Sequence, residues 1–343
     1  MRQGELLYLA GFEACLVGGC VRDALLGRTP ADWDICTAAR PEETETVFAG
    51  ERLIETGLRH GTVTVLLAGT PLEITTYRTD GEYTDGRHPD SVSFTPDLSQ
   101  DLARRDFTVN ARAWSPEAGL TDLFGGREDL AAGLIRCVGE PEARFREDAL
   151  RILRALRFAG RYGFAVEPET DRALRALRAR LGLVAPERIR EELRGILLSP
   201  GAGELMRTYP EVFTAALPVL EGAADLSAAA ALTEALPAVL PLRAAAALHT
   251  LPRSAAREAL ADLRTDNALR DRVLFLLERQ NMPPADRYAA RLSLAGSDRD
   301  ATAQLLCFGR ALARLRGEDA APWDKAGALV AEAEAEAWPR SLR

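Results

Sequence analysis

The sequence predicts an α+β protein with a small head built on a mixed β-sheet and helices, followed by an all-α remainder. Three observations carry this. Apolar and β-branched runs such as Ala14 to Val17, Gly61 to Leu67 and Leu72 to Tyr77 fall within residues 1–137. From Arg144 to Arg343 the chain is rich in Ala, Leu, Arg and Glu, is interrupted at Gly and Pro, and has few β-branched runs, which predicts several packed helices. The 343 residues are long for one domain, and 47% of them are hydrophobic, ample for a packed core.

Taken in order, residues 4–12 suit a short opening helix. Ala14 to Val17 reads as a strand running into Gly18-Gly19, and Val21 to Leu26 as a helix that stops at Gly27. Trp33 to Cys36 reads as a second strand, and Pro41 to Phe48 as a helix with proline at an early position. The segments 61–67 and 72–77, bounded by Gly and Pro, predict a hairpin. Farther on, the Ala-rich stretches Leu226 to Leu232 and Val330 to Ala337 predict helices, with no fixed-period repeat.

Composition narrows the function. No run of about 18 apolar residues occurs, so no membrane span is expected. The amino terminus lacks a long apolar stretch of the secretory kind, and a cytosolic setting is expected. The five cysteines are scattered without a CxxC pair, which predicts small buried side chains and neither a zinc ribbon nor a disulfide framework. A net charge of −8 argues mildly against a general nucleic-acid binder. Lys325 is the only lysine, so the fixed cations are otherwise arginines; a compositional preference accounts for most of them, and only arginines within a motif carry weight.

The strongest local signal is Leu16-Val17-Gly18-Gly19-Cys20-Val21-Arg22-Asp23, followed by Asp32-Trp33-Asp34-Ile35. Two glycines between a strand and a helix let backbone N–H groups approach a phosphate, and Arg22 can add a charge-assisted fork. Asp32 and Asp34 are separated by one residue, which on a strand puts both carboxylates on one face. Such a pair repels unless a cation lies between, the arrangement of two-metal phosphoryl transfer. Glu73 alternates with Leu72 and Ile74, so it is either a third carboxylate beside the pair or a solvent-facing strand residue.

Strand-GG-x-x-R-D followed by D-x-D-I resembles the nucleotidyltransferase superfamily, in the branch of bacterial CCA-adding enzymes and poly(A) polymerases. The resemblance continues through Asp101-Leu102-Ala103-Arg104-Arg105-Asp106-Phe107-Thr108-Val109-Asn110, where Arg105 can pair with phosphate and Asp106 or Asn110 with a ribose hydroxyl. Asp122 to Leu130 resembles the turn that joins such a head to a helical neck. In Glu147-Asp148-Ala149-Leu150-Arg151-Ile152-Leu153-Arg154-Ala155-Leu156-Arg157, read as helix, Asp148 and Arg151 fall near each other on one face. In the resembled family the corresponding Asp and Arg hydrogen-bond the Watson–Crick edge of the incoming base, so the protein is the template. Arg154 and Arg157 match further positions near the nucleotide. Glu187 and Arg190 resemble the last neck motif and are expected to buttress the helix carrying Asp148.

The resemblance covers roughly residues 10–200. It implies a nucleotidyltransferase head at 1–137, a helical neck with the base template at 138–200, and a helical body and tail at 201–343 that bind tRNA by backbone shape and phosphate contacts. It implies ATP and CTP as substrates, Mg²⁺ as cofactor with Asp32 and Asp34 as its ligands, and no membrane partner; oligomeric state stays open. Residues 80–92 resemble a loop that CC-adding relatives lack, which leaves CCA addition and addition of the terminal A alone both open and disfavours CC addition alone. Poly(A) polymerase is the runner-up, against which stand the acidic balance and the lack of a basic tail. A catalytically silent RNA-binding protein on the same fold is disfavoured by the joint presence of Asp32, Asp34, Arg105, Asp148 and Arg151. His60, His88 and His249 are separated and adjoin no Asp, so no phosphohydrolase metal cluster is expected.

Overall fold

The computed structural model describes all residues except 1–6, 9, 55–56, 68, 82–90, 222–225, 297–298 and 336–343. The chain divides into two compact units, Met1–Leu183 and Val184–Arg343.

The first unit is built on a seven-stranded sheet, in which β1 (Ala14–Val17) and β2 (Asp34–Thr37) are central. Outward from β2 lie β5 (Thr70–Thr76), β4 (Thr62–Leu67) and β3 (Arg52–Ile54); outward from β1 lie β8 (Arg112–Ser115) and β9 (Gly119–Asp122). The β2–β5 pair is parallel and the other pairs are antiparallel, so the sheet is mixed as expected. The predicted hairpin forms between β4 and β5, where Val63 pairs with Ile74 and Val65 with Leu72. These side chains alternate onto a buried face and join Ile35, Ala39 and Phe48 in one core cluster.

Helix α1 (Gly19–Leu25) starts directly after Gly18, two residues earlier than the apolar pattern indicated. Helix α2 (Pro41–Val47) carries proline in its first turn, where no backbone donor is missed. Strands β6 (Arg78–Asp80) and β7 (Val92–Phe94) pair antiparallel. Most of the loop expected at 80–92 lies outside the described residues, as does most of the opening helix expected at 4–12, of which Leu7 and Tyr8 are helical. Helix α3 (Leu98–Ala103) precedes the Arg104-Arg105-Asp106 motif, and α4 (Gly126–Ala132) follows the Asp122 turn.

Beyond β10 (Leu134–Ile135) come α5 (Pro141–Glu147), α6 (Leu150–Tyr162), β11 (Ala165–Val166) and α7 (Pro168–Leu177). Strand β11 pairs with β10 and is, among the described residues, the one strand after Arg144. Gly163 ends α6 in the left-handed conformation, φ 70°, which favours glycine.

The second unit holds helices and no strand among its described residues, from α8 (Pro186–Leu197) through α9 (Ala202–Thr208), α10 (Pro210–Ala216), α11 (Leu226–Ala235), α12 (Leu240–Leu248), α13 (Arg253–Asp262), α14 (Asn267–Arg279), α15 (Arg287–Gly296) and α16 (Arg299–Leu315) to α17 (Ala321–Ala335). Both predicted Ala-rich segments are helical, in α11 and α17, where described; residues 336 and 337 of the second lie outside the described residues. No described helix is long and apolar enough to cross a membrane.

Candidate active site

Asp34 opens β2, and the parallel register sets it opposite Glu73 on β5. Asp32 lies in the bend before the strand and not on it, so strand alternation does not set its direction; this corrects the expected same-face strand pair. Its charge still reaches Asp34. The Asp34 carboxyl is pushed up to about 6 by burial, then by the charges of Asp32 and Glu73, against the opposing pull of Arg105. The three carboxylates therefore share one electrostatic neighbourhood, with Glu73 exposed at its edge. Among the described residues, no group of three or more His, Cys, Asp or Glu side chains is arranged to hold a metal ion alone. Two carboxylates that repel each other still suit a hard divalent cation, whose remaining positions water and phosphate oxygens fill.

The strand β1 ends in a turn that only glycine adopts readily, with Gly18 at φ 75°, ψ −125°. A Cβ at Gly18 would sit 3.0 Å from Arg105 Nη1, and one at Gly19 would sit 3.6 Å from Arg22 Nη2. Two guanidinium groups thus border a turn that lacks side chains, which makes a cradle for an anion. Arg22 is buried. Its Nε donates to Asp23 Oδ1 at 2.9 Å and its Nη1 to Asn110 Oδ1 at 2.6 Å. Arg105 Nη2 donates to Asp101 Oδ2 at 3.1 Å, and its Nε is buried without a hydrogen-bond partner among the described residues. Asp101 also accepts from Arg104 at 2.7 Å; burial alone would raise its carboxyl, but Arg105 and Arg104 hold it below the usual range.

Asp106 faces inward. Its Oδ2 accepts from Arg154 Nη2 at 2.7 Å and Nε at 3.0 Å, and its Oδ1 from Asn110 Nδ2 at 3.0 Å. Burial works against its charge, but the Arg154 guanidinium and these hydrogen bonds win and lower the carboxyl to about 2. Asn110 therefore links Arg22 to Asp106, and Asp106 links to Arg154. This chain of contacts runs from the glycine turn to α6. Arg157, one turn on, stacks its guanidinium 4.4 Å from the Phe158 ring centroid.

Asp148 and Arg151 do not share a helical face, which is a second correction. The chain leaves helix at Asp148, with φ −141° and ψ 104°, where the Asp148 side chain accepts from Leu150 N at 3.0 Å. An aspartate that can bond a nearby backbone N–H competes with helix continuation, which is why a break replaces a continuous helix here. Arg151 lies beyond the break on α6. It donates to Glu147 Oε2 at 2.6 Å and to the carbonyls of Arg144 and Arg104, both at 3.2 Å. Glu147 also pairs with Arg144. Glu147 was not singled out from sequence, although its i, i+4 spacing to Arg151 is the signal that finds it. Tyr162 was likewise missed. In the second unit, Glu187 and Arg190 both bond Arg264, the first through its guanidinium and the second through its carbonyl.

The comparisons with known proteins point to one family. Residues 14–136 match the Poly A polymerase head domain family, and residues 163–209 match a family described as a probable RNA and SrmB binding site of polymerase A. The chain is 49% identical to the CCA-adding enzyme of Leuconostoc mesenteroides over 195 residues, which is 57% of this chain and 48% of that protein. It is 46% identical over 201 residues to the CCA-adding enzyme of Geobacillus thermodenitrificans, covering 59% of this chain and 49% of that protein. The matched segment thus spans about half the length of these curated relatives. Among solved structures, the CCA-adding enzyme of Bacillus stearothermophilus in complex with CTP superposes with a TM-score of 0.78 at 33% identity, covering 96% of this chain and 81% of that one. The Thermotoga maritima CCA-adding enzyme complexed with tRNA shares the fold, with a TM-score of 0.74 at 22% identity. With that identity over that share of the Bacillus protein, and with the head motifs in place, the chain belongs to the family of CCA-adding enzymes and bacterial poly(A) polymerases.

Proposed function

We propose that this chain is a tRNA nucleotidyltransferase that adds the 3′-terminal CCA, or its final A, from CTP and ATP without a nucleic-acid template. The observation that carries this reading is the run of contacts from Arg22 through Asn110 and Asp106 to Arg154. It joins the glycine turn to the helix bearing Arg151, beside the Asp34 and Glu73 pair. In the reaction, the 3′-hydroxyl of the RNA attacks the α-phosphorus of the triphosphate and pyrophosphate leaves. Gly18, Gly19, Arg22 and Arg105 hold the triphosphate, with Asn110 and Asp106 at the ribose side. Asp148 and Arg151 meet the base edge, where an acceptor and a guanidinium donor suit both cytosine and adenine. Arg154, which is anchored on Asp106, and Arg157 stand on the nucleotide side of that helix. Asp32 and Asp34 would hold Mg²⁺, with Glu73 supporting them, and the bound ion would activate the attacking hydroxyl and neutralise the triphosphate.

In functional terms residues 1–137 are the catalytic head, 138–200 the neck and 201–343 the tRNA-binding body and tail, acting in the cytoplasm. Polyadenylation is the second reading, favoured by the family description that the head matches. The test is incorporation into tRNA lacking its 3′ end, with CTP alone, ATP alone and both. Two cytidines followed by one adenosine support CCA addition. A alone on tRNA ending in CC indicates the A-adding reading, a long A tract indicates polyadenylation, and no incorporation overturns the proposal.

A further inference from the structure

Tyr162 closes the last turn of α6, and neither the glycine motif nor the carboxylates call for an aromatic residue there. Three guanidinium groups lie over its ring: Arg22 Cζ at 4.8 Å, Arg28 Cζ at 4.9 Å and Arg161 Cζ at 5.5 Å from the centroid. Its hydroxyl donates to Asp23 Oδ1 at 3.0 Å, the same oxygen that accepts Arg22 Nε at 2.9 Å. Tyr162 therefore holds Arg22 in two ways. The ring supports the guanidinium face, and the hydroxyl fixes the carboxylate that pairs with its edge. Phe158 completes the support, stacked on Tyr162 with 19° between the ring planes and 5.2 Å from Arg22 Cζ. Arg22 Nη2 also pairs with Asp23 Oδ1 at 2.8 Å and borders Gly19, where a Cβ would sit 3.6 Å from it.

An arginine that is already restrained loses less freedom when it grips a phosphate, so restraint strengthens binding without touching the ligand. We propose that Tyr162 is a positioning residue for the triphosphate, holding the Arg22 guanidinium against the Gly18-Gly19 turn in the orientation that meets phosphate oxygens. This rests on the reading of Arg22 as a triphosphate contact. It also predicts what Tyr162 does not do. Because the phosphates of CTP and ATP are identical, its loss weakens both nucleotides by the same factor and leaves base choice alone.

The probe is inorganic tripolyphosphate, which carries no base. Its binding to the full chain with Mg²⁺ is measured by calorimetry, alongside KM and kcat for CTP and ATP. For Tyr162→Leu the expected loss of tripolyphosphate affinity is roughly three- to thirtyfold, the range of a cation–π contact together with one hydrogen bond. KM for both nucleotides rises by that factor, while kcat stays within about twofold. Tyr162→Phe, which keeps the ring, recovers most of the loss. Should Tyr162→Leu not fold, Tyr162→Met keeps similar volume without a ring face and carries the same expectation. Unchanged tripolyphosphate binding, or a KM change confined to one nucleotide, overturns the assignment. A parental protein that adds no nucleotide sinks the reaction proposed above, yet the calorimetric arm still decides the role of Tyr162.

Discussion

Asp34 on β2 stands opposite Glu73 on β5 in a parallel pair, and burial together with the charges of Asp32 and Glu73 pushes the Asp34 carboxyl up to about 6. A carboxyl raised in this way keeps its proton in the folded protein over a range where the unfolded chain has lost it. It therefore favours folding at low pH, and that contribution is lost as pH rises from about 4 to about 6. At neutral pH without a divalent cation the charged Asp34 works against the fold. Asp34→Asn is expected to raise Tm by a few degrees under those conditions, on the order of 1 kcal/mol after allowing for the partial exposure of the carboxyl. The stabilisation that Mg²⁺ confers on the parent should vanish in the variant. Thermal unfolding with Mg²⁺ and with chelator reads both effects. A variant less stable than the parent in chelator would count against the repulsion.

The same carboxylates are the proposed ligands for Mg²⁺. Asp32→Ala and Asp34→Ala are each expected to abolish nucleotide addition while leaving the fold and tRNA binding largely intact. Circular dichroism and a filter-binding assay with tRNA provide the controls. Near-parental Mg²⁺-dependent incorporation by either variant refutes the metal assignment.

Asp106 works in the opposite sense. Its carboxyl is lowered to about 2, so its contribution to stability is present above the unfolded value and is lost as pH falls through about 2. Asp106→Ala leaves Arg154 without its carboxylate and Asn110 without an acceptor. The expected loss is about 2–4 kcal/mol at neutral pH, discounted for the partial exposure of Arg154. Urea unfolding of the parent and variant at several pH values measures it. A loss below about 0.5 kcal/mol, the range of an ordinary surface change, would show that the pair is incidental.

Arg151 is clamped by Glu147 and two carbonyls, so on the proposed reading of Arg151 as a base contact Glu147 is its positioning partner. Arg151→Ala is expected to relax the choice among the four triphosphates, because one bidentate contact contributes about 1–3 kcal/mol of discrimination. Glu147→Gln should move selectivity the same way by a smaller amount. Competition of CTP against UTP, and of ATP against GTP, separates the outcomes. If both variants lose rate and keep parental selectivity, α6 is structural and not a template.

The head was legible where local rules dominate. The strand Ala14–Val17, the turn at Gly18 and the β4–β5 hairpin follow from alternation and glycine placement, which act over a few residues. Asp34 and Glu73 became neighbours through a parallel pairing that no local pattern specifies, so Glu73 could be read from sequence in two ways. The break at Asp148 escaped notice because helical periodicity continues on both sides of it, and one side chain accepting from Leu150 N is enough to interrupt it. The sequence offers Arg22 as a charge-assisted fork for a phosphate and gives no sign of an aromatic support. Its contacts with Phe158 and Tyr162 join segments far apart in sequence, which only the folded chain brings together.

Gly18 provides the sharpest test of the anion cradle, because a second glycine isolates the effect of backbone strain. Gly18 and Gly27 both have positive φ, at 75° and 68°, and both flank α1. A Cβ at Gly27 would meet nothing within 4 Å, whereas one at Gly18 would sit 3.0 Å from Arg105 Nη1. Alanine at either position therefore strains the backbone, by about 1–3 kcal/mol, and this appears as lowered stability in both variants. Only Gly18→Ala also fills the turn and displaces a guanidinium from it. Moving a charge-assisted phosphate contact by a fraction of an ångström should raise KM for CTP and ATP about tenfold in that variant, with little change in Gly27→Ala. Steady-state kinetics on tRNA lacking its terminal nucleotides, run well below both melting temperatures, makes the comparison. Equal KM values in the two variants would mean that the space beside Gly18 holds no phosphate, and the cradle formed by the turn, Arg22 and Arg105 would have to be abandoned.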